Sequence, residues 1–411
     1  MLTVRAEHTF SIIRNPNAAG GEYGAGQAAV LNDAGLQAAR REISTWPGYA
    51  PTPLVELPGH ARRCRVAGLY YKDEGLRFGL GSFKPLGGAY AVFRVIAAEA
   101  ERAGVGPITS KDLLSGKHRN IAATVTVCAA TDGNHGRSVA WGAGMFGCSC
   151  VIFVSETVTE GRQRAIAGYG AEVRRVAGTF DDAVRAASRT AADEGWHVVP
   201  DTASGGNVAA SGNVMQGYAI LADELIGQLP GATPPSHLFV QAGVGGLAAA
   251  VAAQFWQAYG GRRPTTVTVE PESAGCWFES LGAGQPVTVS GALDSLMAGL
   301  ACGEVSPLAW DILGLAAHGA MIIPDQAAAE TMRGLAQGKD DTPLVGGESG
   351  VAGLAGFILA SEDAEARALL GLDDHSRVVV IGSEADTDPE TYRAIVGRDG
   401  DAVRAAAASG S

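Results

Sequence analysis

The chain has 411 residues, of which 46% are hydrophobic and 18% charged, a composition typical of globular proteins rather than disordered or fibrous ones. Acidic residues outnumber basic ones by 43 to 31, and the net charge of -12 argues against a nucleic-acid partner. Because single hydrophobic cores stop growing below this length, we expect two domains.

The N-terminal residues contain no basic segment followed by an apolar stretch, as a secretory signal would. The longest apolar runs, such as residues 242–253, are shorter than the roughly 18 residues that a membrane span needs. We therefore expect a soluble, cytoplasmic protein without a membrane partner. The six cysteines lack zinc-like spacing, which favours free thiols and no metal site, although a Cys276–Cys302 disulfide stays open.

The most informative segment is residues 81–90 (GSFKPLGGAY), where Lys84 precedes an alanine-rich helical run. A cation is disfavoured at the positive N-terminal end of a helix, so a lysine in this position needs a compensating partner. A lysine amine condenses with carbonyls to Schiff bases. Pyridoxal phosphate carries both an aldehyde and a phosphate. If Lys84 is considered alone, the alternative interpretation is that it is an exposed lysine in a loop.

Short β-branched runs recur further along the chain, each followed by a turn and a helical stretch. They cover residues 121–127, 149–154, 173–176, 197–199, 238–241, 265–270 and 377–381. Strands that alternate with helices predict an α/β fold with parallel sheets and helices on both faces.

Two polar loops directly follow predicted strands. Residues 130–136 (ATDGNHG) open a helix, so Asp132 and Asn134 are expected at the carboxyl edge of a sheet, where open α/β folds bind ligands. Turn formation and helix capping are the alternative for both side chains. Residues 382–388 (GSEADTD) occupy the same position after the last strand, and the acids there could instead cap the next helix.

A glycine cluster at residues 243–247 (GVGGL) joins a strand to a helix. Free backbone N–H groups at such a helix N-terminus bind anions, and glycine permits close approach to phosphate. The string also satisfies G-x-G-x-x-A through Ala248, with Glu270 ending the next strand, so a dinucleotide site is a second interpretation. A purely structural turn is the third.

These segments together resemble fold-type II pyridoxal-phosphate enzymes over about residues 50 to 395. Within that superfamily the chain is most similar to the diaminopropionate ammonia-lyases. The similar strings are residues 83–90, 130–136, 201–202, 215–218, 270–271, 299–304, 347–350 and 386–389. The resemblance implies a two-domain fold like that of the tryptophan synthase β subunit, with the cofactor between the domains. It implies a large domain of residues 1–92 and 215–411 and a smaller α/β domain of residues 93–214.

The resemblance also implies which residues bind the cofactor, pyridoxal 5'-phosphate. Lys84, preceded by Phe83, would form the Schiff base with the aldehyde. Asn134 would donate to the ring oxygen, and Ser383 would face the pyridine nitrogen. The phosphate would lie on the glycine loop, formed by Gly243, Val244, Gly245, Gly246 and Leu247.

Three residues are implied in catalysis. Lys84 would move the α-proton, and Asp132 would act as a second acid or base on the opposite face or help the β-amine depart. Asp201 would bind a β-ammonium group. The residues after Asp201 read TASGGN, smaller and less charged than the subfamily pattern, which indicates a different or larger substrate.

We therefore expect a homodimeric enzyme that eliminates a β-substituent from an amino acid, first of all 2,3-diaminopropionate, to give pyruvate and ammonia. A dehydratase of serine, threonine or a bulkier β-hydroxy amino acid is the second hypothesis for the function, and a β-replacement synthase is the third. A nicotinamide-dependent oxidoreductase would leave Lys84 and the loop at 131–136 without a purpose. A cofactor-binding sensor without catalysis would not need both Asp132 and Asp201.

Overall fold

The computed structural model describes residues 9–131, 133–156, 158–202 and 208–409. They divide into two compact units. The described residues of Met1–Val30, Pro51–Leu76 and Leu221–Ser411 form the first unit, and those of Leu31–Ala50 and Arg77–Ile220 form the second. Within the described ranges, no helix is both long and apolar enough to cross a membrane.

The strands in chain order are β1 (Ser11–Arg14), β2 (Leu54–Glu56), β3 (Gly68–Asp73), β4 (Thr126–Ala130), β5 (Ser149–Ser155), β6 (Glu172–Val176), β7 (His197–Val198), β8 (His237–Gln241), β9 (Thr265–Pro271), β10 (Gly319–Ile323) and β11 (Arg377–Gly382).

The α-helices in chain order are α1 (Ala25–Val30), α2 (Asp33–Ile43), α3 (Pro58–Arg63), α4 (Pro85–Arg102), α5 (Ser110–Leu114), α6 (Arg119–Ala122), α7 (Asn134–Phe146), α8 (Glu160–Ala167), α9 (Phe180–Glu194), α10 (Val208–Gln228), α11 (Gly246–Tyr259), α12 (Cys276–Ala283), α13 (Pro307–Ala316), α14 (Asp325–Gln337), α15 (Ala352–Glu362), α16 (Ala364–Leu370), α17 (Pro389–Val396) and α18 (Gly400–Ser409).

The first unit is built on a sheet with strand order β1-β10-β9-β8-β11-β3-β2. The edge strands β1 and β2 pair antiparallel and the five strands between them are parallel. Strands β3 and β8 are buried along their whole length, as expected for parallel strands covered on both faces. Helix α15, buried from Ala352 to Ser361, packs across β8 to β11.

The second unit has a parallel sheet with strand order β6-β5-β4-β7. Helix α9 begins with a capping box between Thr179 and Asp182 and packs its buried alanines on the sheet. Helix α4 packs along α7, where a Cβ on Gly142 would lie 2.7 Å from the Cα of Ala89. The predicted α/β class, with parallel sheets flanked by helices, is confirmed.

The boundaries between the units differ from those expected from the sequence. The second unit includes residues 31–50, 77–92 and 215–220, which the sequence analysis assigned to the large domain. The reason is that α4 runs without interruption from Pro85 to Arg102 and packs on α7, so the expected boundary after residue 92 falls inside a helix. Lys84 consequently belongs to the second unit.

The crossing of α4 and α10 generates a prediction about stability. A Cβ on Gly217 would collide with the carbonyl oxygen of Leu86, whereas one on Gly227, in the same helix, would meet no atom within 4 Å. We expect Gly217→Ala to lower the free energy of unfolding by about 1–3 kcal/mol, as overpacking does. Gly227→Ala should be neutral or stabilising by up to about 1 kcal/mol. Urea unfolding followed by circular dichroism measures both, and equal stabilities would contradict the close crossing.

Candidate active site

Lys84 is the N-cap residue of α4, with φ -52° and ψ -34°, and Pro85 is the first residue of the helix. Its carbonyl accepts hydrogen bonds from the N–H groups of Gly87 and Gly88 at 3.1 and 2.9 Å. The side chain thus stands at the positive end of the helix dipole, where the sequence placed it.

Glycine at positions 87 and 88 lets neighbouring helices approach Lys84 closely. A Cβ on Gly87 would lie 2.7 Å from the carbonyl oxygen of Val214 in α10, and one on Gly88 would overlap Ser138 in α7. The first turn of α4 is therefore clamped between two helices. This packing restricts the backbone from which the amine projects.

Asp201 is the anion that compensates Lys84. The Lys84 Nζ donates to Asp201 Oδ2 at 3.2 Å, and 20% and 28% of the two side chains remain exposed. Burial acts to raise the pKa of Asp201, but the charge of Lys84 and the hydrogen bond from its amine outweigh it, so the pKa lies below its ordinary value. Asp201 is therefore ionised at neutral pH.

Two aromatic rings flank the amine. The Lys84 Nζ lies 5.4 Å from the ring centroid of Phe83 and 6.0 Å from that of Tyr218. The two rings contact each other with their centroids 4.6 Å apart. Burial, the largest influence, raises the pKa of Tyr218 to about 12 against the opposing charge of Lys84, so the phenol stays neutral. The surroundings of the ion pair are therefore mostly apolar on the side formed by the rings of Phe83 and Tyr218.

The described residues of the loop at 131–136 lie at the same edge of the sheet as Asp201, because β4 pairs with β7. The Thr131 hydroxyl accepts hydrogen bonds from the N–H groups of Gly133 and Gly136, both at 3.1 Å. Asn134 is half-buried as the first residue of α7. Asp132 lies outside the described residues.

His135 connects this loop to the segment that carries Asp201. Its Nε2 lies 2.7 Å from the carbonyl oxygen of Val199, two residues before Asp201. Burial lowers the pKa of His135, with the Lys84 charge adding to this effect and Asp201 opposing it. The imidazole is therefore neutral, and a carbonyl partner requires that Nε2 carry the proton.

The glycine loop, residues 243–247, lies in the first unit, after β8, and its last two residues begin α11. Gly245 is the N-cap residue of α11 with φ +98°, a left-handed conformation that favours glycine. The first hydrogen bond of the helix runs from Ala249 N–H to Gly245 O, so the N–H groups before Ala249 have no helical acceptor. A Cβ on Gly243 would lie 3.0 Å from the carbonyl oxygen of Gly299. The loop is therefore a backbone cradle of a kind that binds phosphate.

Ser383 follows β11, the strand next to β8, so it lies at the same sheet edge as the glycine loop. Its Oγ accepts a hydrogen bond from Gln241 Nε2 at 2.6 Å. The same nitrogen lies 2.9 Å from the carbonyl oxygen of Ile381 and 3.1 Å from that of Gly350. The two hydrogens of this amide nitrogen are shared among the three oxygens, and the nitrogen itself cannot accept, so the Ser383 Oγ is the acceptor in its bond with Gln241. The hydroxyl hydrogen of Ser383 is left for another acceptor.

Glu270 removes the dinucleotide interpretation of the glycine loop. Its carboxylate is fully buried and accepts the N–H groups of Trp277 and Phe278, both at 2.8 Å. Burial raises the pKa of Glu270 to about 8. Because this carboxyl group is fully buried against the start of α12, it is not exposed to a ribose hydroxyl.

Each unit thus assembles part of the predicted site. The second unit joins Lys84, Phe83 and Asp201 and holds Asn134 at the same sheet edge as Asp201, while the first unit joins the glycine loop and Ser383. These residues fit pyridoxal phosphate: an amine for its aldehyde, a backbone cradle for its phosphate and a hydroxyl donor for its pyridine nitrogen. In the described part of the chain, no group of histidine, cysteine and acidic side chains could hold a metal ion.

The sequence reading missed three residues of this arrangement. Tyr218 was included only as part of the string 215–218 that resembles the ammonia-lyases. A large aromatic residue in a helix rich in small residues could have marked it as a site residue. Gln241 could have been noticed as a polar residue at the end of an apolar strand. Trp277, whose indole donates to the carbonyl of Gly243 at 2.9 Å, carried no local signal.

The fold and these residues define an α/β enzyme that uses pyridoxal phosphate. A family model described as pyridoxal-phosphate dependent enzyme matches residues 45–384, and the chain belongs to this family. It is 38% identical over 355 residues to diaminopropionate ammonia-lyase of Escherichia coli strain K12, covering 85% of this chain and 88% of the relative.

Solved structures agree with this similarity. The crystal structure of diaminopropionate ammonia lyase from Escherichia coli in complex with D-serine matches with a TM-score of 0.85 at 34% identity, covering 95% of this chain and 97% of that one. The same enzyme in complex with an aminoacrylate-PLP azomethine reaction intermediate matches with a TM-score of 0.82 at 34% identity and the same coverage. The predicted family and cofactor are confirmed.

The buried, neutral His135 predicts a pH dependence of stability. The folded chain holds the imidazole unprotonated, with a pKa below the ordinary 6.5, whereas the unfolded chain binds a proton below that pH. Where the unfolded state binds more protons, the free energy of unfolding falls as the pH falls, by up to about 1.4 kcal/mol per pH unit and proton. The effect is absent well above pH 6.5 and grows toward pH 5.

We expect His135→Asn to reduce the slope of unfolding free energy between pH 7 and 5. The exposed His375→Asn is the control that keeps the wild-type slope. Urea titrations at several pH values give the slopes. An unchanged slope in His135→Asn would mean that this imidazole is protonated in the folded protein.

Proposed function

We propose that the protein is a carbon–nitrogen lyase that converts 2,3-diaminopropionate and water into pyruvate and two molecules of ammonia. The observation that carries this proposal is the Lys84–Asp201 pair at 3.2 Å, which joins an amine for the cofactor to a carboxylate for a second cation. The similarity to diaminopropionate ammonia-lyase over 88% of that relative supports the same substrate.

Pyridoxal phosphate, when bound, supplies an aldehyde that holds the substrate amine and a ring that withdraws electrons from Cα. Lys84 would hold this aldehyde in the resting enzyme. With substrate bound, its Nζ, at the rigid start of α4, would accept the proton from Cα. The N–H groups of the glycine loop would hold the phosphate, and Asn134 would donate to the ring oxygen.

Ser383 sets the electronic character of the ring. Because its Oγ accepts from Gln241, its hydrogen would be available to the pyridine nitrogen of the bound cofactor. A neutral hydroxyl leaves this nitrogen less protonated than a carboxylate would, which weakens electron withdrawal by the ring. Such a site suits elimination, because departure of the β-substituent quickly consumes the negative charge at Cα.

Asp201 recognises the β-ammonium group of diaminopropionate. Its carboxylate already holds a cation at hydrogen-bond distance, and its lowered pKa keeps it ionised. The apolar wall of Phe83 and Tyr218 strengthens the attraction by excluding water. We assign Asp132 as the second acid or base, which assists departure of the β-amine or proton removal from the opposite face.

Elimination of hydroxide from a β-hydroxy amino acid is the second candidate function. The Escherichia coli enzyme has been crystallised with D-serine, and the short side chains after Asp201 suit a substrate other than diaminopropionate. A serine hydroxyl carries no charge, so this reaction would not use the ionised Asp201 for substrate binding.

The assembly and location are also part of the proposal. A homodimer follows the usual arrangement of similar enzymes. The described cysteines, at positions 64, 128, 148, 150, 276 and 302, form no disulfide, which is typical of a reducing compartment such as the cytoplasm.

Lys84→Ala tests the covalent role of the amine. We expect the variant to form no Schiff base with the cofactor, so that borohydride reduction no longer attaches the cofactor to the protein. We also expect kcat to decrease by roughly 10²- to 10⁴-fold or more, because the proton acceptor is removed. Mass spectrometry after reduction and a pyruvate assay measure the two effects. The exposed Lys117→Ala is the control. A reducible bond that persists in Lys84→Ala would place the Schiff base on another lysine.

Asp201→Asn tests recognition of the β-ammonium group. We expect kcat/KM for diaminopropionate to fall by about 10- to 100-fold, the usual effect of losing a hydrogen bond to a charged group, and kcat/KM for serine to fall much less. Exposed Asp193→Asn serves as the control. Equal losses for both substrates would refute the role in specificity. Faster turnover of serine than diaminopropionate by the wild-type enzyme would favour the dehydratase.

A further inference from the structure

The carbonyl groups of the glycine loop are held by hydrogen bonds from outside it. The indole Nε1–H of Trp277 donates to the carbonyl of Gly243 at 2.9 Å, and the backbone N–H of Ser306 donates to the carbonyl of Val244 at 2.9 Å. Two successive peptide groups are therefore oriented by residues from α12 and from the segment before α13.

The orientation of a carbonyl fixes the orientation of the next N–H group. In a planar trans peptide the C=O and the N–H point in opposite directions, and the described residues contain no cis peptide. With the carbonyl of Gly243 turned toward Trp277, the N–H of Val244 faces the opposite side. The bond from Ser306 has the same consequence for the N–H of Gly245. Both N–H groups can then act together with those that begin α11.

Trp277 is itself held rigidly. Its side chain is fully buried, and a Cβ on Gly245 would overlap its ring. The ring stacks on Trp310 with centroids 5.9 Å apart and an interplanar angle of 25°. Its backbone N–H is bonded to the buried Glu270. The indole therefore cannot turn away from the loop without disturbing α12.

We infer that Trp277 is a positioning residue for the cofactor phosphate, acting through the peptide that links Gly243 to Val244. This rests on the proposed assignment of the glycine loop to the phosphate. By fixing that peptide, Trp277 prevents the loop from turning a carbonyl oxygen toward the phosphate. The residue makes no contact with the reacting atoms in this scheme. Its contribution is limited to ligands that carry a phosphate.

The test compares two forms of the cofactor. Apoenzyme is titrated by calorimetry with pyridoxal phosphate and with pyridoxal, which lacks the phosphate. We expect Trp277→Phe to weaken binding of pyridoxal phosphate by about 5- to 30-fold, from loss of the indole donor and of loop order. Binding of pyridoxal should not change. Trp310→Phe, which keeps an aromatic ring against Trp277, is the matched control and should bind both ligands as the wild type does.

A purely structural effect of Trp277→Phe would weaken both ligands equally, and that result would overturn the inference. Unchanged affinity for pyridoxal phosphate would overturn it as well. A second pair of variants covers the case in which Trp277→Phe does not fold. Ser306→Pro removes the other donor at a residue whose φ of -66° suits proline, whereas Ser306→Ala keeps it. Within this second pair, Ser306→Pro should lower the preference for pyridoxal phosphate over pyridoxal, and Ser306→Ala should not.

These measurements are separate from the proposed reaction. Wild-type apoenzyme that binds both ligands equally would overturn the assignment of the loop, and the role of Trp277 with it. An enzyme that fails to convert diaminopropionate but keeps the effect of Trp277→Phe would refute the proposed substrate alone.

Discussion

The ammonium group of Lys84 lies at the positive end of α4, and the second unit is arranged around this unfavourable position. A helix dipole opposes a cation there by a few tenths of a kcal/mol to about 1 kcal/mol, which an anion at hydrogen-bond distance more than offsets. Asp201 supplies that anion at 3.2 Å. The same carboxylate serves the proposed chemistry, because an anion that binds the cation of Lys84 beside two aromatic rings can also bind a substrate ammonium group.

Parallel sheets explain how residues distant in sequence reach one place within each unit. The carboxyl ends of parallel strands meet at a single edge, so loops after neighbouring strands become neighbours. In the second unit this brings the loop after β4 next to Asp201 beyond β7. In the first unit it brings the glycine loop after β8 next to Ser383 after β11. The side chains between them, His135 and Gln241, then join these loops by hydrogen bonds to backbone carbonyls.

The glycine loop shows that one sequence pattern can serve two kinds of ligand. A strand, a G-x-G turn and a helix are shared by dinucleotide sites and by phosphate sites in general. What separates them here is the acid at the end of the next strand. Glu270 is fully buried and bonded to two backbone N–H groups at the start of α12, so neither of its oxygens is exposed to a ribose. The distinction lies in the partner of the carboxylate, which no motif encodes.

Local stereochemistry explains what the sequence determined by itself. Alternating strands and helices, the helix start after Lys84 and the glycine cluster at 243–247 all depend on residues within a few positions of one another, so the α/β class, the lysine segment and the glycine loop could be predicted. The bond from Trp277 to Gly243 spans 34 residues and that from Gln241 to Ser383 spans 142, and only the tertiary structure decided them. The same holds for the place of α4 in the second unit. The burial of apolar surface and the hydrogen bonding of buried polar groups depend on which residues are close in space, and residues close in space can be far apart in the sequence.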